Sequence, residues 1–398
     1  MSKIMAVNAG SSSLKFQMLQ MPEELVITEG QFEKIGLEGP IFTIEYQGEK
    51  HKNIVDIKNH ADCVEMLLKT LLEMHIVESL EEISGVGHRV LHCGEKFSDS
   101  VLLDDYAIEV IESVCDLGPL HNPANLIGIR AFQKALPNVP QVAVFDTSFH
   151  LTMPDESFMY ALPYDWYTKH GVRKYGFHGT SHKYVSKKAA EFLGKPIEEL
   201  RIITAHLGNG ASLAAVKNGK VVDTTMGLTP LEGLPMGTRS GSFDPAIIEF
   251  ICKKENLTVE EVNTILNKKS GYIGFYPKSS DAREVRAAAA EGDYRADLIL
   301  RMQAKKVTDY IGSYFVYMGG LDVLVFTAGI GEKSPETRLE ICKRLKEALG
   351  IEIDLEKNKI KGELMELSTP DSKIKVLVVP TNEELMIARD TIRLGNIE

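Results

Sequence analysis

The sequence is poor in the features that mark secreted, membrane-spanning and nucleic-acid-binding proteins. Its five cysteines are widely spaced in 398 residues and form no C-x-x-C pair, so we expect reduced thiols in a cytoplasmic protein. No apolar run approaches the length of a membrane span, and the N-terminus lacks a basic segment followed by a long apolar one. The net charge of -11 argues against nucleic acid and anionic membranes as partners.

Three common catalytic patterns are also missing. There is no G-x-x-x-x-G-K-[ST] phosphate loop and no G-x-S-x-G turn, which argues against P-loop nucleotide hydrolases and α/β-hydrolases. His178 and His182 have the spacing of a zinc-binding H-E-x-x-H helix, but Gly179 stands where the Glu would be. We therefore expect no zinc site.

The composition that remains is that of an ordinary globular protein, with 44% hydrophobic and 25% charged residues. The length predicts two domains with substantial cores. Helical patterns follow typical capping residues, namely Asp104 or Asp105, Thr258, and Ser334 before a proline. Because strand and helix patterns mix throughout the chain, the predicted fold class is α/β.

Three strand-like runs end in glycine-rich loops. The first, residues 4–7, leads into residues 8–15, whose Asn, Gly, Ser and Lys groups are donors suited to phosphate oxygens. Residues 202–213 and 323–332 repeat the pattern of a strand that breaks into a glycine turn. We interpret the three loops as a duplicated domain closing on one nucleotide from two sides, the architecture of actin and the sugar kinases.

Polar residues follow three of the predicted buried strands: Asn8, Asp146, and Asn382 with Glu383. In open α/β sheets ligands bind at such strand ends, and carboxylates there are suitable Mg²⁺ ligands beside a phosphate chain. The alternative is that Asp146 only caps a turn and that Glu383 only opposes a helix dipole.

Two arginines and one histidine lie in loops able to reach a ligand. Arg89 follows an apolar run and Arg239 is flanked by small residues, so either could bind a carboxylate or phosphate, although surface arginines are common. His178 lies between glycines and could face a site, whereas Ser181 is predicted to cap a helix that carries His182.

The candidate site residues named above are rich in cationic side chains and poor in free bases. Phosphoryl transfer to a hydroxyl benefits from a carboxylate that accepts the proton. Transfer to a carboxylate needs no base, since that nucleophile is already ionised, but it needs cations and Mg²⁺ to overcome repulsion between two anions. The residues favour the second reaction without excluding the first.

Taken together, these stretches strongly resemble the acetokinase family over essentially the whole chain. The motifs that carry the resemblance are residues 8–15 (NAGSSSLK), 87–90 (GHRV), 119–123 (PLHNP), 145–147 (FDT), 175–182 (YGFHGTSH), 206–210 (HLGNG), 236–239 (MGTR), 327–332 (TAGIGE) and 380–384 (PTNEE).

The resemblance implies reversible, in-line transfer of the ATP γ-phosphoryl group to acetate, giving ADP and acetyl phosphate, with Mg²⁺ or Mn²⁺. It implies that Arg89 and Arg239 hold the carboxylate and the transferring group and that His178 stabilises the transition state. Asp146 would be the essential carboxylate, which positions metal and substrate more than it accepts a proton. Asn8 and Glu383 would form the metal site.

The resemblance also implies the nucleotide site, the fold and the assembly. The fold would be the duplicated actin-like (RNase H-like) one with an interdomain cleft, comprising residues 1–150 with the terminal helix 383–398, and residues 151–382. The family forms homodimers. The implied phosphate and ATP residues are Lys15, Ser11, Ser13, His206, Leu207, Gly208, Asn209, Gly210, Asp281, Ala282, Arg283, Gly329, Ile330, Gly331, Glu332 and Lys333.

The departures from the family pattern concern the substrate and nucleotide pockets. The apolar wall for the acetate methyl group would be Leu91, Leu120 and Pro230, and the family commonly has Val where Leu91 stands. Cys93 replaces a usual glycine, and residues 274–278 differ from the usual small-residue loop. The alternatives are a propionate or butyrate kinase, a sugar or polyol kinase with a catalytic base, and a non-catalytic ATP-binding module.

Overall fold

The structure, a computed structural model, describes residues 1–119 and 121–397. These residues form two compact units, which we call unit 1 (Met1–Leu151 with Asn382–Glu398) and unit 2 (Thr152–Thr381). The last segment of the chain thus belongs to the same unit as the first. Among the described residues, no helix is both long and apolar enough to cross a membrane.

Unit 1 is built on a sheet in which strands pair in the order β5-β4-β3-β2-β1-β6-β8-β7. Strands β1 to β5 form an antiparallel meander, whereas β6 and β8 run parallel to β1. In chain order the strands are β1 Ser2–Ala9, β2 Ser13–Met21, β3 Leu25–Glu33, β4 Ile41–Tyr46, β5 Glu49–Ile54, β6 Ile83–Val90, β7 Val101–Leu102 and β8 Gln141–Phe145.

Unit 2 is built on a second sheet, ordered β11-β10-β9-β12-β14-β13. Here β9, β10 and β11 form the antiparallel meander, and β12 and β14 run parallel to β9. The strands are β9 Arg201–Leu207, β10 Ala211–Lys217, β11 Lys220–Thr224, β12 Val323–Thr327, β13 Met365–Glu366 and β14 Lys375–Val378.

The two sheets share one topology. In each, a three-strand meander is followed by two parallel strands and a short antiparallel edge strand, so β3-β2-β1-β6-β8-β7 corresponds to β11-β10-β9-β12-β14-β13. The parallel strands β8 and β12 are buried at every residue, as expected for parallel strands covered on both faces. The predicted duplicated α/β fold is therefore confirmed.

The helices begin largely where the capping residues predict. Asp104, Thr258, Ser334 and Asn382 each accept a hydrogen bond from a backbone N–H in the first turn that follows. The helices are α1 His60–Glu73, α2 Asp105–Ser113, α3 Asn122–Ala135, α4 Asp155–Phe158, α5 Tyr164–His170, α6 Gly179–Leu193, α7 Ala246–Glu255, α8 Val259–Lys268, α9 Gly271–Phe275, α10 Ala282–Ala290, α11 Tyr294–Met318, α12 Ala328–Lys333, α13 Pro335–Leu349 and α14 Glu383–Gly395.

Two helices that begin at or directly after predicted site residues pack against the sheets: α14 begins at Glu383, and α6 directly follows His178. Helix α14 packs on β1, β6 and β8 of unit 1, and α6 packs on β9 and β12 of unit 2. Glycines make the first contact possible, because a Cβ on Gly87 would lie 2.3 Å from side-chain atoms of Ile387 and Thr391 in α14.

Two local predictions were wrong. Ser181 does not cap α6, which begins at Gly179 after His178 adopts a left-handed backbone with φ 61°; the hydroxyl of Ser181 bonds to His206 instead. The glycine loop after β12 is the short helix α12, because the Glu332 carboxylate accepts a 2.7 Å hydrogen bond from the Ala328 N–H and so closes a helical turn.

Candidate active site

A bidentate ion pair joins two of the predicted site residues of unit 1. Arg89 is the penultimate residue of β6 and Asp146 directly follows the adjacent strand β8, so the parallel register brings the two residues close together. The guanidinium Nε donates to Asp146 Oδ1 at 2.9 Å and Nη2 donates to Oδ2 at 2.5 Å. Asp146 is 1% exposed, and this carboxylate raises the pKa of Arg89. The pair fixes the guanidinium in one orientation.

The two acidic residues that begin α14 lie near this pair. Glu383 and Glu384 line a cavity of about 220 Å³ together with Asn8, Lys15 and Arg89. Burial raises the pKa of Glu383 to about 7, and the carboxylates of Asp146 and Glu384 act in the same direction while Arg89 opposes them. Negative charge is therefore concentrated at this end of the cavity.

The oxygen donors of this cavity fit a hard divalent cation. Mg²⁺ is usually held by one or two protein oxygens and by substrate phosphates, and the Asn8 amide and Glu383 carboxylate are donors of that kind. A nearby cation would also relieve the crowding of carboxylates that raises the pKa of Glu383. Among the described residues, no cluster of three or more His, Cys, Asp or Glu side chains could hold a metal alone.

The predicted phosphate residues of unit 1 surround the turn between β1 and β2. Lys15 is exposed and pairs directly with Asn8 in the antiparallel register. Gly10 donates a 2.8 Å backbone hydrogen bond to the carbonyl of Ser13, which closes the turn, and Ser11 is exposed at its tip. The structure thus brings Lys15 to the cavity that Asn8 lines, whereas Ser11 and Ser13 shape the turn beside it.

The predicted methyl-binding wall is only partly described. Leu91 is 7% exposed, and its N–H donates to the Asn125 side chain at 3.1 Å. Leu120 lies outside the described residues. Pro230 belongs to unit 2, where its carbonyl accepts a 3.3 Å hydrogen bond from Arg239.

In unit 2, His178 and Arg239 converge on one glycine. A Cβ built on Gly210 would lie 3.2 Å from His178 Nε2 and 3.5 Å from Arg239 Nη1. Both side chains are half-buried, and burial lowers the pKa of Arg239. An imidazole and a guanidinium that converge in this way can bind an anion.

The ring of His178 also stacks on His206, with centroids 4.1 Å apart and planes inclined by 17°. Each ring is held by a serine: Ser212 Oγ lies 2.8 Å from His178 Nδ1, and Ser181 Oγ lies 2.8 Å from His206 Nδ1. Each ring is therefore oriented through its Nδ1 atom.

A larger cavity of about 670 Å³ gathers most of the predicted nucleotide residues of unit 2. Within it, Asp281 caps α10 and pairs with Arg283 at 2.5 Å. The predicted residues that line the cavity are Gly208, Asn209, Asp281, Ala282, Arg283, Gly329, Ile330 and Lys333.

Other predicted nucleotide residues do not line this cavity. Leu207 is fully buried in the sheet. Glu332 is 9% exposed, and its carboxylate accepts from the N–H groups of Ala328 and Thr381. Gly331 is buried in α12, the helix that also contains Glu332, and Gly210 faces His178 and Arg239.

The structure adds residues to the site that the sequence did not single out. Glu384 joins the acidic end of the first cavity, Ser212 bonds to His178, and Thr381 donates to Ser181, the partner of His206. Ser212 pairs with His206 across β10 and β9, so the two-residue period of the strand could have indicated it. The additional residues that line the larger cavity are Gly237, Tyr272, Ser280, Arg286, Ser334, Glu336 and Lys361.

Comparison with known proteins shows similarity to acetate and propionate kinases over nearly the full length of the chain. The profile of the acetokinase family matches residues 3–389. An acetate kinase of Geobacillus sp. (strain WCH70) is 57% identical over 397 residues, covering 100% of each chain. The crystal structure of Porphyromonas gingivalis acetate kinase is 47% identical, with a TM-score of 0.96 over 99% of this chain and 100% of that one. A propionate kinase from Francisella tularensis subsp. tularensis SCHU S4 is 43% identical, with a TM-score of 0.93 over the same shares of the two chains. The chain is thus an enzyme of a phosphotransferase class with a carboxyl acceptor, and it belongs to the acetokinase family.

Proposed function

We propose that the protein is an acetate kinase, which reversibly transfers the γ-phosphoryl group of ATP to the carboxylate of acetate. The observation that carries this proposal is the 57% identity, over the full length of both chains, to a protein named acetate kinase. The arrangement of charged groups described above supplies a chemical reason for the same reaction.

Arg89 would bind the acetate carboxylate. Its guanidinium is already oriented by Asp146, so little conformational entropy would be lost when the substrate binds. Both oxygens of Asp146 accept hydrogen bonds from Arg89, which supports a positioning role for Asp146 rather than that of a free general base. Acetate needs no base because it is ionised at neutral pH.

His178 and Arg239 would stabilise the transferring phosphoryl group. Their polar atoms converge at Gly210, where the missing side chain leaves room for an anion. ATP would occupy the cavity that begins at Gly208 and Asn209. Donors fixed before the reaction can stabilise developing charge without reorganisation.

Asn8 and Glu383 would hold the metal ion, Mg²⁺ or Mn²⁺. When bound, the cation would supply charge neutralisation between the phosphate chain and the carboxylate. Lys15, beside Asn8 in the register, would add a second positive charge for phosphate oxygens.

Propionate kinase is the second candidate function. The Francisella tularensis propionate kinase is 43% identical to this chain over nearly all of its length. One extra methylene changes discrimination by only about 1–3 kcal/mol, so a small change at Leu91 would suffice to exchange the two substrates. We propose acetate as the preferred acid because the more similar relatives carry that name.

We also propose a cytoplasmic homodimer. The family resemblance implies the dimer, and the five cysteines of the sequence, which are free in the structure, suit a reducing compartment. Size-exclusion chromatography with light scattering should give twice the chain mass of 44.2 kDa. A mass equal to one chain across the micromolar range would contradict the dimer.

Phosphorus NMR tests the proposed reaction in both directions. With Mg²⁺, ATP and acetate, the resonance of acetyl phosphate should grow, and acetyl phosphate with ADP should give ATP. Glucose and glycerol should give no phosphorylated product. A sugar phosphate in place of an acyl phosphate would instead support a hydroxyl acceptor.

A further inference from the structure

The stacked rings of His178 and His206 in unit 2 are each bonded to a buried serine, and the direction of a serine hydroxyl can determine which ring nitrogen carries the proton. Ser181 and Ser212 are both fully buried, and each lies 2.8 Å from the Nδ1 of one ring. A hydroxyl that donates to Nδ1 leaves the proton of a neutral ring on Nε2, whereas a hydroxyl that accepts from Nδ1 does the opposite. The direction of a serine hydroxyl can therefore decide whether the Nε2 atom of a neutral ring presents a proton or a lone pair to a ligand.

Thr381 sets the direction of the Ser181 hydroxyl. Its Oγ1 donates a 2.8 Å hydrogen bond to Ser181 Oγ, so Ser181 must send its own proton elsewhere. Within residues 1–119 and 121–397, Ser181 Oγ bonds to Thr381 and to His206. Because a buried hydroxyl proton is costly to leave unpaired, it goes to His206 Nδ1. A neutral His206 then carries its own proton on Nε2.

The backbone holds Thr381 in the position that this direction requires. Its N–H donates to Glu332 Oε1 at 3.0 Å, and the same oxygen accepts from the Ala328 N–H at 2.7 Å. Glu332 is 9% exposed, so this anchor is largely shielded from water. Glu332, which the family resemblance implies to be an ATP-binding residue, thus anchors Thr381, and Thr381 in turn bonds to the serine that contacts His206.

Ser212 provides an internal contrast. Its Oγ lies 2.8 Å from His178 Nδ1 and also 2.8 Å from His182 Nε2. Its single proton can go to either ring, so Ser212 alone does not fix the tautomer of His178. The two serines have the same burial and the same distance to a ring, and they differ in their second partner.

We propose that Ser181 and Thr381 are positioning residues that hold neutral His206 in its Nε2–H tautomer, so that the ring presents a donor to a phosphate oxygen of the nucleotide. The opposite tautomer would present a lone pair to the anion and repel it. The role toward the nucleotide rests on the proposed function, whereas the tautomer itself does not.

Nitrogen NMR of the full chain labelled with ¹⁵N-histidine tests the tautomer directly. Signals of His206 are identified by their loss in His206→Gln. In the unsubstituted protein above pH 7, Nε2 should be the protonated nitrogen. Thr381→Val should give a mixture of tautomers, while Thr381→Ser and the control Ser212→Ala should keep the original pattern. Protonation at Nδ1, or an unchanged pattern in Thr381→Val, would overturn the proposal.

Kinetics test the consequence for the nucleotide. Thr381→Val should raise the KM for ATP about fivefold, the effect of one weakened hydrogen bond, and change kcat less. Thr381→Ser should restore the KM. If the tautomer behaves as stated but the KM does not move, the role toward the nucleotide is wrong. If no acyl phosphate forms at all, the proposed function fails while the NMR result still decides the tautomer.

Discussion

At the scale of single residues, the central feature is the pair of Arg89 and Asp146. Replacing Arg89 by Ala should lower kcat/KM about 10²- to 10³-fold, because a charge-stabilising donor at the transfer site is lost. It should also destabilise unit 1, since Asp146 is 1% exposed and would keep an unpaired charge. Acyl-phosphate assays and thermal unfolding measure the two effects separately.

The double variant Arg89→Ala with Asp146→Asn separates binding from folding. It removes the unpaired charge and should recover stability without recovering activity. Arg201→Ala is a matched control, because Arg201 also pairs with an aspartate, Asp322, but lies away from both cavities. Near-normal turnover in the double variant would contradict the role of Arg89.

Leu91→Ala tests the wall of the acid pocket. The smaller side chain should shift the ratio of kcat/KM for propionate over acetate upward by about tenfold, the value of roughly one methylene. Leu67→Ala, in the buried face of α1, removes the same volume from the core and should leave the ratio unchanged. An equal ratio in both variants would show that Leu91 does not select the acid.

Arg89 and Asp146 could be proposed from the sequence because ionic chemistry needs particular side chains. The sequence did not predict that Glu332 turns away from the larger cavity to anchor Thr381, nor that Ser181 bonds to His206. Both outcomes depend on contacts between distant parts of the chain. Ser181 has the pattern of a helix cap, and that local preference was outweighed by the half-buried imidazole of His206.

At the scale of elements, α14 packs against the sheet of unit 1 at Gly85 and Gly87. Gly87→Ala should lower the stability of unit 1 by about 1–3 kcal/mol, because the added Cβ would lie 2.3 Å from Ile387. Activity should fall as well, since Glu383 begins the displaced helix. Urea unfolding and acyl-phosphate assays measure both effects.

Gly312→Ala is the matched control for this helix contact. Gly312 lies within α11 with nothing within 4 Å of an added Cβ, so alanine there should be neutral or slightly stabilising. Equal stability of the two glycine variants would mean that α14 does not pack on β6 as described.

Helix starts and buried strands could be read from the sequence because caps and apolar periodicity are local signals. The turn after β12 could not, since its glycines predict an open loop while Glu332 closes it into a helix. The edge strand β13 is only two residues long and is defined by its partner β14 rather than by its own residues.

At the scale of the whole molecule, buried titratable groups make stability depend on pH, and His88 contributes a loss of stability in mild acid. Burial lowers the pKa of His88 to about 4, below its ordinary value of 6.5. Between these values His88 binds more protons in the unfolded chain than in the folded one, so its contribution to the free energy of unfolding decreases as the pH falls from about 6.5 toward 4. For His88 the loss between pH 6.5 and 5 is about 2 kcal/mol.

His88→Gln should flatten this dependence, because glutamine does not titrate and can still bond to Gln141, which lies 2.8 Å from His88 Nε2. The check is the urea midpoint at pH 7.5 and at pH 5 for both proteins. His75→Gln, on an exposed histidine, is the control and should keep the original dependence. An identical pH dependence in the two His88 forms would contradict the buried neutral state.

From the sequence, the only sign of the duplicated topology was the presence of three similar glycine-rich loops, each after a strand-like run. The meander and the parallel strands of the two sheets match in order, and such a match need not show in the sequence, since many apolar sequences satisfy one strand pattern. The family resemblance therefore predicted more of the fold than periodicity did.

The most direct test of the central claim is the formation of acyl phosphate from Mg-ATP, trapped as the hydroxamate, with acetate, propionate and butyrate compared at equal concentrations. We predict that hydroxamate forms fastest with acetate, then with propionate and then with butyrate, and at least about 10²-fold more slowly with the Arg89→Ala, Asp146→Asn double variant. A preference for a longer acid would keep the mechanism and change the substrate. No hydroxamate with any acid would contradict the assignment of a carboxylate kinase.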